Sequence, residues 1–343
     1  MDTALQFVPI MIMGFAVALG LTPLSRQIAM RLGVVDKPTL ARKIHKDHKP
    51  LMGGLAIVVG MVVSVLVFSP PQHLRELGAI CASASLLALV GLLDDRFNLG
   101  VRVRLVAMIA AALLVIAFGI HVRLFGMLWL DVALTVVWIT ALTNALNFLD
   151  NMDGLSAGIS VIASAFFLLI AFTQGQILVS LLAAAVLGSA MGFLAYNFNP
   201  ASTFMGDMGA LVLGFSLAVL GIKLQFAQQP LSITWLIPVM VLAVPIVDIN
   251  LVVWTRLYEG RSPFEGGKDH TSHRIMALGL SQRLTIGIIY ILCALFGGIG
   301  ALMSASAPDV AIQLGALGVA FMLMLTGAMV WIRVRVQRRK EGA

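Results

Sequence analysis

The stretch "VALTVVWITALTNALNFLDNMDGL", residues 132–155, sets an apolar run directly against three asparagines and two aspartates. The apolar part has the composition of a helix that crosses a membrane, where charged side chains are costly. Acid and amide side chains at the end of such a run indicate a place where the chain leaves lipid and meets water or a ligand. The stretch therefore predicts a membrane protein with polar chemistry at its helix ends.

Composition places the whole chain in a membrane. The chain has 343 residues, of which 60% are hydrophobic and 11% are charged, and its mean hydropathy is +1.00. A soluble protein carries about 25% charged residues. Apolar runs of spanning length recur from end to end, and in lipid each must satisfy its own backbone polar groups as a helix. We expect an all-α, polytopic membrane helix bundle, built as one domain over residues 1–343. Its eleven predicted spans lie at about residues 5–25, 52–69, 77–93, 104–120, 127–147, 154–173, 176–195, 209–226, 231–254, 284–305 and 310–332.

The basic residues are distributed unevenly. A net charge of +7 could indicate a nucleic-acid partner, but 20 of the 23 lysines and arginines fall on one side of the predicted spans. These residues lie within 26–49, 96–104, 256–283 and 333–340. Cytoplasmic loops carry such an excess. The distribution predicts an outside N-terminus, a cytoplasmic C-terminus and contact with membrane lipid, and it argues against nucleic acid.

Polar chemistry is concentrated on the same, cytoplasmic side. The loops that we expect to form the active site are residues 26–51, 94–104, 144–154, 197–209 and 256–283. In the second of these loops, Asp94 and Asp95 are adjacent, and Arg104 follows them. Neighbouring carboxylates repel each other unless a cation or a proton intervenes, and arginine suits phosphate. The pair predicts an acid or metal centre beside a phosphate site, although a solvated helix end would have the same sequence.

Oxygen ligands dominate the next two loops. Asn144, Asn147 and Asn151 lie at helical spacing, so a helix would place them on one face. Asp150 and Asp153 precede Gly154, and Asp207 lies between two glycines. Such side chains suit a hard cation, for which we expect Mg²⁺ with Mn²⁺ as an alternative. Asp and Asn also cap helices, but one cap needs only one residue.

The longest cytoplasmic loop contains His270, His273 and Arg274. Together these side chains form a cationic cluster that can hold an anion. Paired histidines also bind Zn²⁺, but no thiolate and no third close histidine accompany them in the sequence.

Two classes of function fit this arrangement. Acids, amides and cations at one end of a helical bundle indicate a Mg²⁺-dependent enzyme that handles phosphates beside a lipid substrate. A membrane transporter of nucleotide sugars or lipid-linked sugars would instead place polar residues near the middle of the bilayer. The middle of the predicted spans is nearly clear of such residues, which favours the enzyme.

Motifs in four regions occur in a fixed order along the chain. They are "DKP", "RK.H" and "P..GG" within residues 36–54, "DDR" at residues 94–96, "NxxNxxDxxDGL" at residues 144–155 and "FMGDMG" at residues 204–209. In combination they resemble the bacterial polyprenyl-phosphate N-acetylhexosamine-1-phosphate transferases of glycosyltransferase family 4, relatives of the phospho-MurNAc-pentapeptide transferase.

The resemblance implies an activity and a location. The implied reaction transfers a sugar phosphate, most simply GlcNAc-1-phosphate, from UDP-N-acetylhexosamine to undecaprenyl phosphate and releases UMP. It would take place at the cytoplasmic face of the bacterial inner membrane and start cell-surface polysaccharide synthesis. The phospho-MurNAc-pentapeptide branch and a homodimeric state both stay open at this point.

The resemblance also assigns roles to individual residues. It implies catalytic roles for Asp94, Asp95 and Asp207, and Mg²⁺ ligation by Asn147 and Asp207. The substrate-binding residues that it implies are Lys46, Arg104, Asp150, Asp153, Gly154, Phe204, His270, His273 and Arg274. The chain departs from the family's usual motifs at Asn98, where a third acid is expected, and at Ser272, where a further histidine is expected.

Overall fold

The computed structural model describes residues 5–36, 49–226, 229–262 and 267–341. Lys46, which the resemblance implies in substrate binding, lies outside the described residues. The helices are α1 (Val8–Leu32), α2 (Gly53–Phe68), α3 (Leu74–Phe97), α4 (Val101–Ala117), α5 (Leu128–Leu149), α6 (Leu155–Thr173), α7 (Ile177–Asn197), α8 (Gly206–Lys223), α9 (Leu231–Val241), α10 (Ala243–Tyr258), α11 (Thr271–Met276), α12 (Gln282–Ala305) and α13 (Pro308–Glu341). Short 3₁₀ turns occur at Leu5–Phe7 and Pro71–His73, and the strands are β1 (Val35–Asp36) and β2 (Lys49–Pro50).

The predicted helical class is confirmed, since the described residues are nearly all helical and each predicted apolar run contains a helix. Among them, eight helices are long and apolar enough to cross a membrane, or nine if the bent pair α9–α10 forms one span. The eight are α1, α3, α5, α6, α7, α8, α12 and α13. Helix α2 is apolar but shorter than these. The count of eleven spans and the orientation of the termini therefore stay predictions.

The ninth predicted run, residues 231–254, is not one straight helix. It divides into α9 and α10, which meet at an angle of 80°. Pro245 explains where the break falls, because a proline ring clashes with the carbonyl four residues before it and lacks the N–H of a helical bond. In the broken arrangement Pro245 lies in the first turn of α10, where no such bond is required.

The helices form two compact units, residues 5–226 and residues 229–341. In the first unit, α8 is the central helix. All its residues from Met208 to Ile222 are buried, and it packs against α2, α3, α5 and α6. Helices α1 and α7 pack closely on each other outside this centre. The first turn of α8 therefore brings Asp207 to the ends of the helices that surround it.

A pair of short strands precedes α2. Strands β1 and β2 are antiparallel, with Val35 opposite Pro50. The carbonyl of Pro50 accepts a hydrogen bond from the backbone N–H of Phe204 at 2.9 Å, and Gly53 N–H donates to the Phe204 carbonyl at 3.0 Å. These bonds fix the loop that leads into α8 against the start of α2.

The second unit contains α9 to α13. Helix α12 packs against α9, α10 and α13, and the short helix α11 lies against α12 and α13. This packing holds the segment that carries the two histidines of the longest loop.

Candidate active site

The candidate site in the first unit is built around Asp207. One of its carboxylate oxygens accepts a hydrogen bond from Arg104 Nη1 at 2.5 Å, and the other accepts one from Asn147 Nδ2 at 2.8 Å. Arg104 Nη1 also lies 3.2 Å from Asp94 Oδ2. Side chains from α3, α4, α5 and α8 thus converge on one point. These contacts join residues from three separate motifs into one polar centre.

The adjacent acids Asp94 and Asp95 have different environments. Asp94 is 8% exposed, ion-pairs with Arg104 and accepts a hydrogen bond from Gly100 N–H at 3.1 Å. Asp95 instead accepts from the backbone N–H groups of Asp207 at 3.1 Å and Met208 at 3.5 Å. It therefore binds the first turn of α8, where the helix dipole favours a negative charge. Asp95 positions Asp207, and its predicted catalytic role stays a prediction.

Two glycines allow the helices to approach each other here. A Cβ on Gly91 of α3 would lie 2.5 Å from the Met208 nitrogen and 2.6 Å from the Asp207 carbonyl carbon. Gly206 has a φ of 67°, and a Cβ there would overlap the Asp95 carboxylate and the Leu51 carbonyl. Only glycine adopts this conformation without cost, so Gly206 is required for the turn that presents Asp207.

Asp150, at the end of α5, adds a further carboxyl group to this site. Burial, the Asp207 carboxylate and the Asp153 carboxylate together raise the pKa of Asp150 to about 8, from its ordinary value of 3.8. A folded-state pKa above the unfolded value means that the ionised form is disfavoured in the fold. Protonated Asp150 therefore contributes to the free energy of unfolding at low pH, and this contribution is lost as the pH rises from about 4 towards about 8. A bound cation would reduce the repulsion between these neighbouring carboxylates.

Asp153 holds the loop between α7 and α8. Its Oδ2 accepts hydrogen bonds from Asn199 Nδ2 and from the backbone N–H of Ala201, each at 3.0 Å. The next residue, Gly154, donates its backbone N–H to Asn197 Oδ1 at 3.0 Å. The "DGL" turn and the "NFNPAS" loop are thus joined directly, and Phe204 follows in the same loop.

The residues present fit a magnesium ion that is bound by few protein ligands. Among the described residues, no three His, Cys, Asp or Glu side chains are grouped as a metal site of protein ligands alone would require. Mg²⁺ usually takes only one or two carboxylates and completes its coordination with water and phosphate. Asp207 supplies a carboxylate, and Asn147 donates to it through the amide nitrogen, which leaves the Asn147 amide oxygen as its ligand atom. Mg²⁺ ligation stays a prediction.

The second unit contains its own polar cluster. His270 Nδ1 lies 2.8 Å from Asp248 Oδ2, and the ring centroids of His270 and His273 are 5.8 Å apart. Burial and the neighbouring His270 lower the pKa of His273 to about 4. His273 is therefore neutral at neutral pH and can act as a hydrogen-bond partner rather than as a cation.

Arg274 is enclosed by protein groups. It is 4% exposed, and its guanidinium donates to the Asp269 carbonyl at 2.9 Å, the Met329 carbonyl at 3.0 Å and the Thr255 hydroxyl at 2.9 Å. Burial and the nearby Arg333 lower the pKa of Arg274 to about 10. These bonds join α11 to α10 and α13. The role of Arg274 in substrate binding stays a prediction, and its observed contacts hold the histidine segment in place.

Comparison with known proteins decides the family. The chain is 34% identical over 304 residues to the probable undecaprenyl-phosphate N-acetylglucosaminyl 1-phosphate transferase of Bacillus subtilis, which covers 86% of this chain and 84% of the relative. The model of glycosyl transferase family 4 matches residues 77–225.

The chain belongs to glycosyl transferase family 4. Two further relatives are the undecaprenyl-phosphate alpha-N-acetylglucosaminyl 1-phosphate transferase of Yersinia pestis and the decaprenyl-phosphate N-acetylglucosaminephosphotransferase of Mycobacterium tuberculosis. The first is 31% identical over 80% of this chain and 78% of the relative, and the second is 30% identical over 86% and 82%. The predicted family is confirmed, and its members include polyprenyl-phosphate sugar-phosphate transferases.

The predicted site residues of this protein fall into two groups. The first unit contains Asp94, Asp95, Arg104, Asn147, Asp150, Asp153, Gly154, Phe204 and Asp207, and the second unit contains His270, His273 and Arg274. The contacts described above join residues within each group. That both groups form one pocket stays a prediction, as do the individual roles.

Several residues that hold the site together were not predicted from the sequence. Asn197 and Asn199 bind the "DGL" turn, and Asp248 binds the histidine segment. The signal for the asparagines was their spacing in "NFNP". The departure at Asn98 also has a physical reason: Asn98 ends α3 with a φ of 53°, and asparagine tolerates this left-handed conformation better than most residues.

Proposed function

We propose that the protein transfers N-acetylhexosamine-1-phosphate from a UDP-sugar to undecaprenyl phosphate and releases UMP. The preferred group in this proposal is GlcNAc-1-phosphate. In the net reaction an oxygen of the lipid phosphate forms a bond to the β-phosphorus of the donor. The bond between that phosphorus and the bridging oxygen breaks, and the electron pair leaves with UMP. The product starts a cell-surface polysaccharide.

The observation that carries this proposal is the convergence of Asp94, Arg104, Asn147 and Asp207. Carboxylates, an amide and a guanidinium within hydrogen-bond distance of one another are groups that bind a metal ion and phosphates. Phosphoryl transfer depends mainly on positioning and on electrostatic stabilisation of the transferred group. The membrane helices around this centre give a lipid phosphate access to it.

The chain's own residues divide this work. Asp94, buried beside Arg104, accepts a proton or orients the lipid phosphate. Arg104 neutralises phosphate charge, and Asn147 and Asp207 would hold Mg²⁺. When bound, Mg²⁺ neutralises charge on the donor phosphates. Asp153 and the loop that it anchors position the nucleotide.

The proposed location is the cytoplasmic face of the bacterial inner membrane. The support is the distribution of basic residues, with 20 of 23 on one side of the predicted spans. The UDP-sugar donor is expected on that side, and the surrounding membrane lipid supplies undecaprenyl phosphate.

The test is a transfer assay with purified protein, undecaprenyl phosphate, Mg²⁺ and a panel of labelled UDP-sugars. We expect labelled lipid and UMP in equal amounts, with UDP-GlcNAc as the best donor. A preference for UDP-MurNAc-pentapeptide would place the chain in the related branch. Absence of labelled lipid with every donor, together with flux of a UDP-sugar into sealed vesicles, would replace the enzyme by a transporter.

Asp153 offers a test of how the nucleotide is held. Asp153→Ala is expected to raise KM for the UDP-sugar by about 10-fold or more, because loss of a hydrogen bond to a bound group costs about 1–3 kcal/mol. Turnover at saturation should change less. The measurement is steady-state kinetics at varied donor concentration.

Asn199→Ala is the matched control, because it removes the side-chain bond to Asp153 and leaves the carboxylate in place. A larger KM for Asp153→Ala than for Asn199→Ala supports direct contact with the donor. Equal effects would contradict it and would make Asp153 an anchor of the loop alone.

A further inference from the structure

We propose that Asp248 is a positioning residue that holds His270 with a proton on Nδ1, so that Nε2 is the ring nitrogen presented to a phosphate group of the substrate. The inference rests on the proposed function and on the predicted role of His270 in substrate binding, which we assign to a phosphate group of the donor. Asp248 itself contacts no substrate in this proposal and acts through His270.

The geometry of Asp248 supports this role. Its side chain is buried, with an exposed fraction of 0%, in α10. Oδ2 lies 2.8 Å from His270 Nδ1, and Oδ1 accepts the backbone N–H of Thr271 at 2.6 Å. Both carboxylate oxygens are therefore bound to the start of α11. One acid fixes both the backbone and the ring of the same short segment.

A carboxylate decides which ring nitrogen carries the proton. An ionised carboxylate only accepts hydrogen bonds, so the nitrogen that faces it must be Nδ1–H. The tautomer of a histidine is set in this way by the partner of its other nitrogen. A second proton, on Nε2, gives an imidazolium whose charge Asp248 compensates. Such a ring can donate to a phosphate oxygen.

The surroundings of His270 favour this assignment over a charged pair of histidines. His273 is the other ring near it, and burial lowers the pKa of His273 to about 4. Lys268 and Asp269 lie in the segment just before His270, and Asp269 is engaged by Arg256 and Arg333 at 3.1 and 3.0 Å. Asp248 is thus the carboxylate that is hydrogen-bonded directly to the His270 ring.

Asparagine at position 248 tests the proposal because it can satisfy only one of the two donors. The Thr271 N–H is always a donor, so the amide oxygen will turn towards it and the amide N–H₂ will face His270. Nδ1 must then accept, so the ring carries its proton on Nε2 and loses the carboxylate that compensates the charge of an imidazolium. We expect Asp248→Asn to lower kcat by about 10- to 100-fold, the usual loss when the partner that orients a functional histidine is removed.

A matched control and a double variant separate positioning from stability. Asp131→Asn changes another buried carboxylate, one that accepts two backbone N–H groups at 3.0 and 2.9 Å and has no predicted role. It should leave kcat near that of the wild type. The double variant Asp248→Asn with His270→Ala should be no slower than His270→Ala alone. A further loss of kcat in the double variant would overturn the proposal.

The tautomer itself is measured by NMR of protein with isotope-labelled histidine, with the His270 signal assigned by its loss in His270→Ala. We expect Nδ1–H in the wild type and the Nε2–H tautomer in Asp248→Asn. A neutral wild-type ring with its proton on Nε2 would overturn the proposal, even if Asp248→Asn fails to fold. If the wild type transfers no sugar phosphate, the proposed function fails, and the NMR result alone decides the role of Asp248.

Discussion

Asp207→Asn is expected to reduce sugar-phosphate transfer by about 10³-fold, the upper end of what one electrostatic group at a reacting centre contributes. The substitution keeps the size of the side chain and removes its charge. Asp207 is the residue that Arg104 and Asn147 both bind, at 2.5 and 2.8 Å. Its loss removes a predicted metal ligand and the acid that orients Arg104. The measurements are kcat and the Mg²⁺ concentration that gives half-maximal turnover.

The control for this variant is again Asp131→Asn, in which a buried carboxylate of the same unit is neutralised away from the site. Calorimetry of Mg²⁺ binding in the presence of UMP supplies a readout that does not depend on turnover. Weakened Mg²⁺ binding with loss of kcat is expected. Turnover near that of the wild type with an unchanged Mg²⁺ requirement would contradict the role of Asp207.

Asp94→Asn is expected to lower turnover by about 10²-fold or more, since a group that moves a proton contributes about 10²- to 10⁴-fold. The amide oxygen of asparagine can still accept the hydrogen bond from Gly100 N–H, which Asp94 accepts at 3.1 Å. The fold should therefore survive, and the KM for the UDP-sugar should change little. The measurements are kcat, KM and the melting temperature.

Asp95→Asn is the contrasting variant, because the two adjacent acids have different partners. Both oxygens of Asp95 accept backbone N–H groups of α8, and an asparagine leaves one of those donors unsatisfied. The expected cost is about 1–3 kcal/mol of stability, measured as a lowered melting temperature. If Asp94→Asn melts earlier and Asp95→Asn does not, the proposed division of labour is wrong.

The amino-acid sequence by itself determined the helical membrane class of this protein and the places where acids and amides lie at the ends of apolar runs. Membrane helices are local structures, so the length and composition of each apolar run were enough to predict them. The motifs around Asp94, Asn147 and Asp207 were also visible, because acids and amides at the ends of apolar runs have few structural reasons to be there. The predicted family followed from the order of those motifs.

Only the tertiary structure decided what each polar group binds. Asp94 and Asp95 are adjacent in the sequence, but in the packed structure Asp94 pairs with Arg104 and Asp95 accepts hydrogen bonds from the backbone of α8. Packing likewise brings Asp248 against His270, 22 residues away. It also divides one predicted apolar run into α9 and α10. A hydrogen bond between distant residues depends on how helices pack, and side-chain composition along the chain does not encode its partner. Helix formation is settled locally in lipid, whereas the pairing of polar groups is settled by the contacts between helices.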